Sequence, residues 1–213
     1  DFGTVFKFDV MTRKLSTPVE FSGSAGSAIG AVPHGMLLND GAGYLWGTTT
    51  LGGLNGFGTV FKIAGSTGSL TPVVLFNNPN PPRGAAPESG LVRDTAGLLW
   101  GTTSAGGVPG NRGTVFKLDP ATGALTTMVT FTGVTGAARG SVPLAELATD
   151  GPDLIWGTTS KGGANDLGTI FKLHTGTGVF TTVAEFTGIA GLFRGSEPRG
   201  RLVSDGSGFF WGT

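Results

Sequence analysis

The segment Gly3-Thr4-Val5-Phe6-Lys7 returns as Gly58-Thr59-Val60-Phe61-Lys62, Gly113-Thr114-Val115-Phe116-Lys117 and Gly168-Thr169-Ile170-Phe171-Lys172, always 55 residues on. A chain written this way folds as a stack of like units, each covering a face that its neighbour leaves bare. A second marker, Trp-Gly-Thr at Trp46, Trp100, Trp156 and Trp211, keeps the same period to within one residue. A deletion before Trp100 is offset by an insertion after it, so the length of the unit is constant. Residues present in every unit read as scaffold, and function is sought in what does not recur.

One unit, residues 143–186, shows how the repeat folds. An apolar run at 145–149 ends in the turn signal Asp150-Gly151, and a second, β-branched and aromatic run follows at 154–159. After a Gly-rich stretch, Thr169, Phe171 and Leu173 fall on one face of a third strand, with Ile170 and Lys172 on the other. The turn 174–178 leads into a fourth strand at 181–186. Four short antiparallel strands in about 55 residues, with no helical periodicity, predict an all-β chain of β-propeller blades with strands A to D. The whole of 1–213 is then one domain, with repeats at 3–57, 58–112, 113–167 and 168–213, the last completed by residues 1–2. Both faces of a blade meet neighbours, so the strands are apolar on both sides and the recurring Trp and Phe fill the space between blades. The recurring Lys7, Lys62, Lys117 and Lys172, and Asp40, Asp94, Asp150 and Asp205, read either as repeated ion pairs and capped turns or as a ring of ligand-binding charges.

The N-terminal segment supplies strands C and D of a blade, and the C-terminal segment supplies strands A and B. Pairing them closes a four-bladed ring and removes its exposed sheet edges. Two chains alternating in an eight-bladed ring satisfy the same edges, so both a monomeric ring and a homodimer are expected arrangements. The chain starts and stops inside a repeat, which fits a mature piece or a segment of something longer.

Composition excludes several function classes. Fourteen Lys and Arg balance fourteen Asp and Glu with no basic run, so a nucleic-acid footprint is missing. The absence of cysteine rules out a disulfide framework and Cys-ligated metal. No apolar stretch is long enough to insert in a membrane as a helix. No phosphate-binding glycine motif or metal-binding spacing is present, and no cofactor is expected.

The units Leu45-Trp46-Gly47-Thr48-Thr49 to Gly58-Thr59-Val60-Phe61-Lys62, and Leu99-Trp100-Gly101-Thr102-Thr103 to Gly113-Thr114-Val115-Phe116-Lys117-Leu118, resemble the GloVer tandem repeat of bacterial choice-of-anchor proteins. Tyr is usual in that family where this chain carries Trp. The resemblance implies a secreted or surface-attached protein, extracellular or at the cell surface, and implies no catalytic residues.

Variation is concentrated in the B–C loops (50–57, 104–112, 160–167) and the D–A loops (22–32, 77–86, 132–142, 187–197), which an up-and-down blade places on one side of the ring. At the mouth of strand A the matched positions diverge: His34, Glu88, Leu144 and Arg199, then Met36, Gly90, Glu146 and Arg201. These read as an asymmetric ligand pocket or as drift at solvent-facing sites. Arg83, Arg139 and Arg194 hold equivalent loop positions, with Ile29 in the fourth copy, and would either bond loop carbonyls or present a fork to a carboxylate or sulfate. Glu88 and Glu146 have the chemistry of a glycosidase or lyase pair, although nothing in their spacing requires it. The expected protein is a non-catalytic extracellular module that binds a glycan or protein ligand, or builds a surface assembly, through its long-loop face. A polysaccharide-acting enzyme at the mouth and a purely structural module of a longer protein are the alternatives.

Overall fold

The computed structural model describes residues 1–77 and 83–213, and these carry sixteen β-strands and no helix. The D–A loop 77–86 therefore lies partly outside the described residues. Three complete four-stranded antiparallel sheets occupy the middle of the chain. The first is β3 (Ala31–Asn39), β4 (Tyr44–Leu51), β5 (Thr59–Ala64) and β6 (Leu70–Leu75). The second is β7 (Val92–Arg93), β8 (Leu99–Thr103), β9 (Thr114–Leu118) and β10 (Leu125–Thr130). The third is β11 (Ala148–Asp150), β12 (Leu154–Thr159), β13 (Thr169–His174) and β14 (Phe180–Glu185). Two half-sheets flank them: β1 (Thr4–Asp9) with β2 (Lys14–Glu20), and β15 (Val203–Ser204) with β16 (Phe210–Trp211).

The register repeats with the sequence. Trp46 lies opposite Lys62, Trp100 opposite Lys117 and Trp156 opposite Lys172. Strands C and D carry a bulge at the matching place in all four copies, between Val5 and Lys7, Val60 and Phe61, Thr127 and Val129, and Ile170 and Phe171. A bulge bends its strand and strengthens the twist. Strand A is shorter than the apolar pattern suggests, two or three residues in β7, β11 and β15. The residues ahead of it bond sideways instead: Thr48 Oγ1 donates to the Ser89 carbonyl of the next repeat at 2.8 Å.

The core lies between sheets. Trp46, Val60, Val74 and Phe76 of the first sheet are buried against Leu91, Leu99, Phe116 and Leu118 of the second. Val92, Trp100, Val115, Val129 and Phe131 of the second meet Leu147, Ile155, Phe171 and Leu173 of the third. An edge-to-face phenyl pair marks each junction: Phe21 with Phe61 (5.2 Å), Phe76 with Phe116 (5.5 Å) and Phe131 with Phe171 (5.4 Å). Such pairs are worth about 0.5–1.5 kcal/mol beyond the area that they bury. Trp46 and Trp100 are core, as the repeat predicts, whereas Trp156 is half-buried on Phe210 and Trp211 is exposed.

Ring closure is where the structure departs from the sequence expectation. β1 pairs only with β2, and β16 only with β15, so no sheet joins the two ends of one chain.

Candidate functional site

Three of the four recurring aspartates, Asp40, Asp94 and Asp205, cap turns. Asp40 Oδ1 accepts from the Ala42 and Tyr44 amides, and its Oδ2 accepts from the Trp46 indole at 3.0 Å. Burial opposes ionisation of Asp40, but these donors and Arg93 hold its carboxyl below the usual range. Asp94 and Asp205 cap the same turn and accept from Trp100 and Trp211. Asp150, with Gly151 and Pro152 behind it, does not repeat the bond, and the Trp156 indole nitrogen is buried without a partner. Lys62 stands 4.8 Å over the Tyr44 ring and Lys172 stands 5.7 Å over Trp156, cation–π contacts across the register. His174 is also a cap. Its Nδ1 accepts from the Gly176 and Thr177 amides at the turn position where Asp9 and Asp119 do the same work.

The long loops form one stitched surface. Within the D–A loops, Gly23 and Gly30, Gly133 and Gly140, and Gly188 and Gly195 exchange paired backbone bonds. Between loops, the Gly53 amide donates to the Gly23 carbonyl and the Gly163 amide to the Gly133 carbonyl. A device that the sequence did not announce holds this surface to the sheets. Val32, Ala86, Val142 and Glu197, each preceding a proline, adopt left-handed backbone with φ of 55°, 55°, 54° and 50°. Pre-proline residues ordinarily prefer extended backbone. Here each amide donates to the B–C loop of one repeat, to Phe2, Phe57, Arg112 and Leu167, and in two copies the carbonyl accepts from Ser104 or Ser160 of the next. The signal available in the sequence was the recurring X-Pro at the head of strand A.

The candidate residues divide between the mouth and the rim. At the mouth, a Cβ on Gly35 would run into the Gly90 backbone, and one on Gly90 would stand 2.5 Å from Glu146 Oε2 and 2.8 Å from the Met36 carbonyl. The matched positions Met36, Gly90, Glu146 and Arg201 are thus side by side, and Arg201 Nη1 donates to Glu146 Oε1 at 2.9 Å. Burial pushes the Glu146 carboxyl up, and Arg201 offsets this only in part. Glu88 has a different partner, accepting from Ser104 Oγ at 2.7 Å. His34 is exposed in β3, on a groove of about 400 Å³ between β1 and the first sheet.

On the rim, Arg139 Nη1 bonds Glu185 Oε1 at 2.9 Å, and the other Glu185 oxygen accepts from the Ala164 amide. Its partner is therefore a carboxylate of the next sheet and not a loop carbonyl. Arg83 and Arg194 are exposed, as is Arg199, which shares Glu197 with Lys161. The Lys161 and Arg199 hydrogen bonds hold the Glu197 carboxyl below its ordinary value. Sequence reasoning missed Glu185 and Glu197 because Arg139 and Lys161 reach them across repeats, and it missed Ser104 because this partner of Glu88 lies 16 residues on, at the start of the B–C loop of the same repeat. Among the described residues, no cluster of His, Asp or Glu could hold a metal, and no helix is long and apolar enough to cross a membrane.

Interlocking four-stranded antiparallel sheets under one continuous loop face define a tandem-repeat protein of the propeller-like class. The chain belongs to the Gloeobacter/Verrucomicrobia repeat family, whose sequence model matches residues 1–143 and 80–213. Among solved structures, TolB from Acinetobacter baumannii is similar with a TM-score of 0.54 at 16% identity, over 95% of this chain and 41% of that one. A chain of the nidogen/laminin complex is similar with a TM-score of 0.56 at 14% identity, over 96% of this chain and 64% of that one. These likenesses show the fold alone, and this chain spans less than two thirds of either structure. No curated protein matches it.

Proposed function

We propose that the chain is a non-catalytic binding module outside the bacterial cell, taking a glycan or a protein on its long-loop face. The observation that carries this reading is the division of labour on that face. Its backbone is a repeated, hydrogen-bonded platform, while the side chains along its inner edge differ from copy to copy. Binding residues concentrate on loops held by a rigid scaffold. The acidic groups here are engaged in structure, Glu146 with Arg201, Glu185 with Arg139, Glu197 with Lys161 and Arg199, and Glu88 with Ser104. That supports recognition over acid–base chemistry, and the extracellular setting follows from the family resemblance.

Calorimetric titration with a panel of neutral and acidic glycans tests the reading. Binding that weakens about tenfold in Arg199→Ala, with the melting curve little changed, and likewise in Arg201→Ala, where loss of the Glu146 partner also lowers stability, is the expected result. A ligand whose affinity ignores both arginines would remove the inner edge from the site. One observation favours the enzyme alternative, because a buried carboxyl raised above its ordinary value is the environment of a general acid. Turnover of a polysaccharide that Glu146→Gln abolishes would establish that alternative.

A further inference from the structure

We propose that a groove at the joint between the first and second complete sheets, on the side of the A–B and C–D turns, is a second binding site, and that it takes a small carboxylate with a ring-sized body, the class of a sugar acid. The site lies at the opposite end of the sheets from the long loops, and the inference stands independently of the loop-face reading.

The groove has a volume of about 230 Å³. Tyr44 and Lys62 of the first sheet line one side, Leu99 and Pro120 of the second repeat line the other, and Asp40 and Arg93 meet across the joint. Every lining residue belongs to a repeat whose four-stranded sheet is whole, so no further repeat is needed to build it. A partly apolar cleft with a few converging polar groups is the usual form of a small-ligand site.

Charge defines what the groove attracts. Lys62 Nζ stands 4.8 Å over the Tyr44 ring and 5.6 Å over Trp46, and Arg93 Nη1 donates to the Asp40 carbonyl at 2.7 Å. These contacts hold two cations at one opening, and among the described residues neither cation forms an ion pair. Asp40 is the nearby acid, but both of its carboxyl oxygens are occupied by the Ala42 and Tyr44 amides and the Trp46 indole. An arginine fork beside a second cation suits a carboxylate. Tyr44, the single tyrosine of the chain, is 39% exposed and brings a hydroxyl able to bond a sugar oxygen. The walls need no ligand to hold them. Asp40 caps the turn on one side, and Asp119 caps the other by accepting from the Ala121 amide at 2.8 Å and the Thr122 hydroxyl at 2.9 Å.

The next joint is the contrast. Lys117 keeps the place of Lys62 there, while Leu98 stands for Tyr44 and Thr149 for Arg93. Thr95 Oγ1 donates across that joint to the Pro152 carbonyl at 2.9 Å, and the groove beside it is about 150 Å³. One joint further on, the same two positions hold Leu154 and Ser204. The aspartate, the tryptophan and the lysine recur at each joint, whereas the tyrosine with the arginine is found at the first of the three.

Titration of the isotopically labelled chain with sodium glucuronate, followed by amide chemical shifts, tests this. Saturable binding is expected, with shifts at Ala42, Tyr44, Arg93 and Ala121, and glucose, which lacks the carboxylate, binds about tenfold more weakly or worse. Arg93→Thr and Tyr44→Leu install the residues that the next repeat carries at the same places, so the chain stays folded by circular dichroism. The first weakens glucuronate binding about tenfold and the second about threefold. Lys117→Gln removes a like charge at the neighbouring joint and leaves the affinity unchanged. Shifts confined to the long loops, glucose bound as tightly as glucuronate, or Arg93→Thr binding as well as the unaltered chain would each overturn the proposal. So would a loss in Lys117→Gln as large as that in Arg93→Thr, or a titration that never saturates.

Discussion

Phe116 and Phe6 occupy the same place in the same motif, yet one is fully buried and the other is two-thirds exposed. Trp100 and Trp211 differ in the same way. The internal sheets and the terminal half-sheets are thus written in one code and live in different surroundings. A motif residue in this architecture is stabilised by the following or preceding sheet, and its own sheet contributes the ladder alone. Stability is a property of junctions, as expected for a one-dimensional array of repeats.

The largest break in this comparison comes from truncating the phenyl rings. Phe116→Ala is expected to lower unfolding free energy by about 3–5 kcal/mol in denaturant melts. Phe6→Ala changes it by no more than about 0.5 kcal/mol, as at other surface positions. Equal losses at the two sites would show that the half-sheet is covered in solution. A smaller effect separates Gly101 from Gly212, since a methyl on Gly101 meets the Phe116 ring and one on Gly212 meets only the movable end of Leu202. Gly101→Ala should cost about 1–3 kcal/mol through overpacking, and Gly212→Ala a fraction of that.

Capped turns sharpen the comparison further. Asp94→Ala leaves the buried Trp100 indole without its acceptor and should destabilise by about 1–3 kcal/mol. Asp150→Ala, beside an indole that already lacks one, should have a much smaller effect in the same thermal melts. The smallest expected effect is a pH slope. Burial raises the folded-state pKa of Glu146, so the folded protein holds that proton more tightly than the unfolded chain. The associated stability is present below the ordinary glutamate value of 4.5 and is lost as pH rises from there through the raised value. Glu197, held low by Lys161, works in the opposite sense: its contribution is present above 4.5 and is lost as pH falls. Melts from pH 3 upward of Glu146→Gln should lack the first slope and keep the second.

Strands C and D, their turns and the burial of Trp46 and Trp100 were legible because the motif states them four times over. The Asp-capped turn was legible as a repeated residue, though not its bond to the Trp indole or the absence of that bond at Asp150. The short strand A was not, because its apolar run reads as a ladder, whereas the Ser89 carbonyl ahead of it accepts from Thr48 of the neighbouring repeat. Arg139 was found, but its partner Glu185 lies 46 residues away and only that junction carries both charges. Left-handed Val32, Ala86, Val142 and Glu197 were hidden by the ordinary preference of residues before proline. Pairing of the two ends was expected from the symmetry of the motif, within one chain or between two, and no sheet of the structure joins them.

One repeated contact lies inside every complete sheet. Where Gly47, Gly101 and Gly157 lie beneath Phe61, Phe116 and Phe171, ring sits directly on bare backbone, with no side chain between them. Each glycine faces its ring across neighbouring strands of one sheet, so the large side chain of strand C has its room because strand B carries none opposite it. The far side of the same ring meets the phenylalanine of the preceding repeat edge on. A methyl group on the glycine would therefore push the ring out of its own sheet and into its neighbour, carrying a change made inside one repeat across to the next.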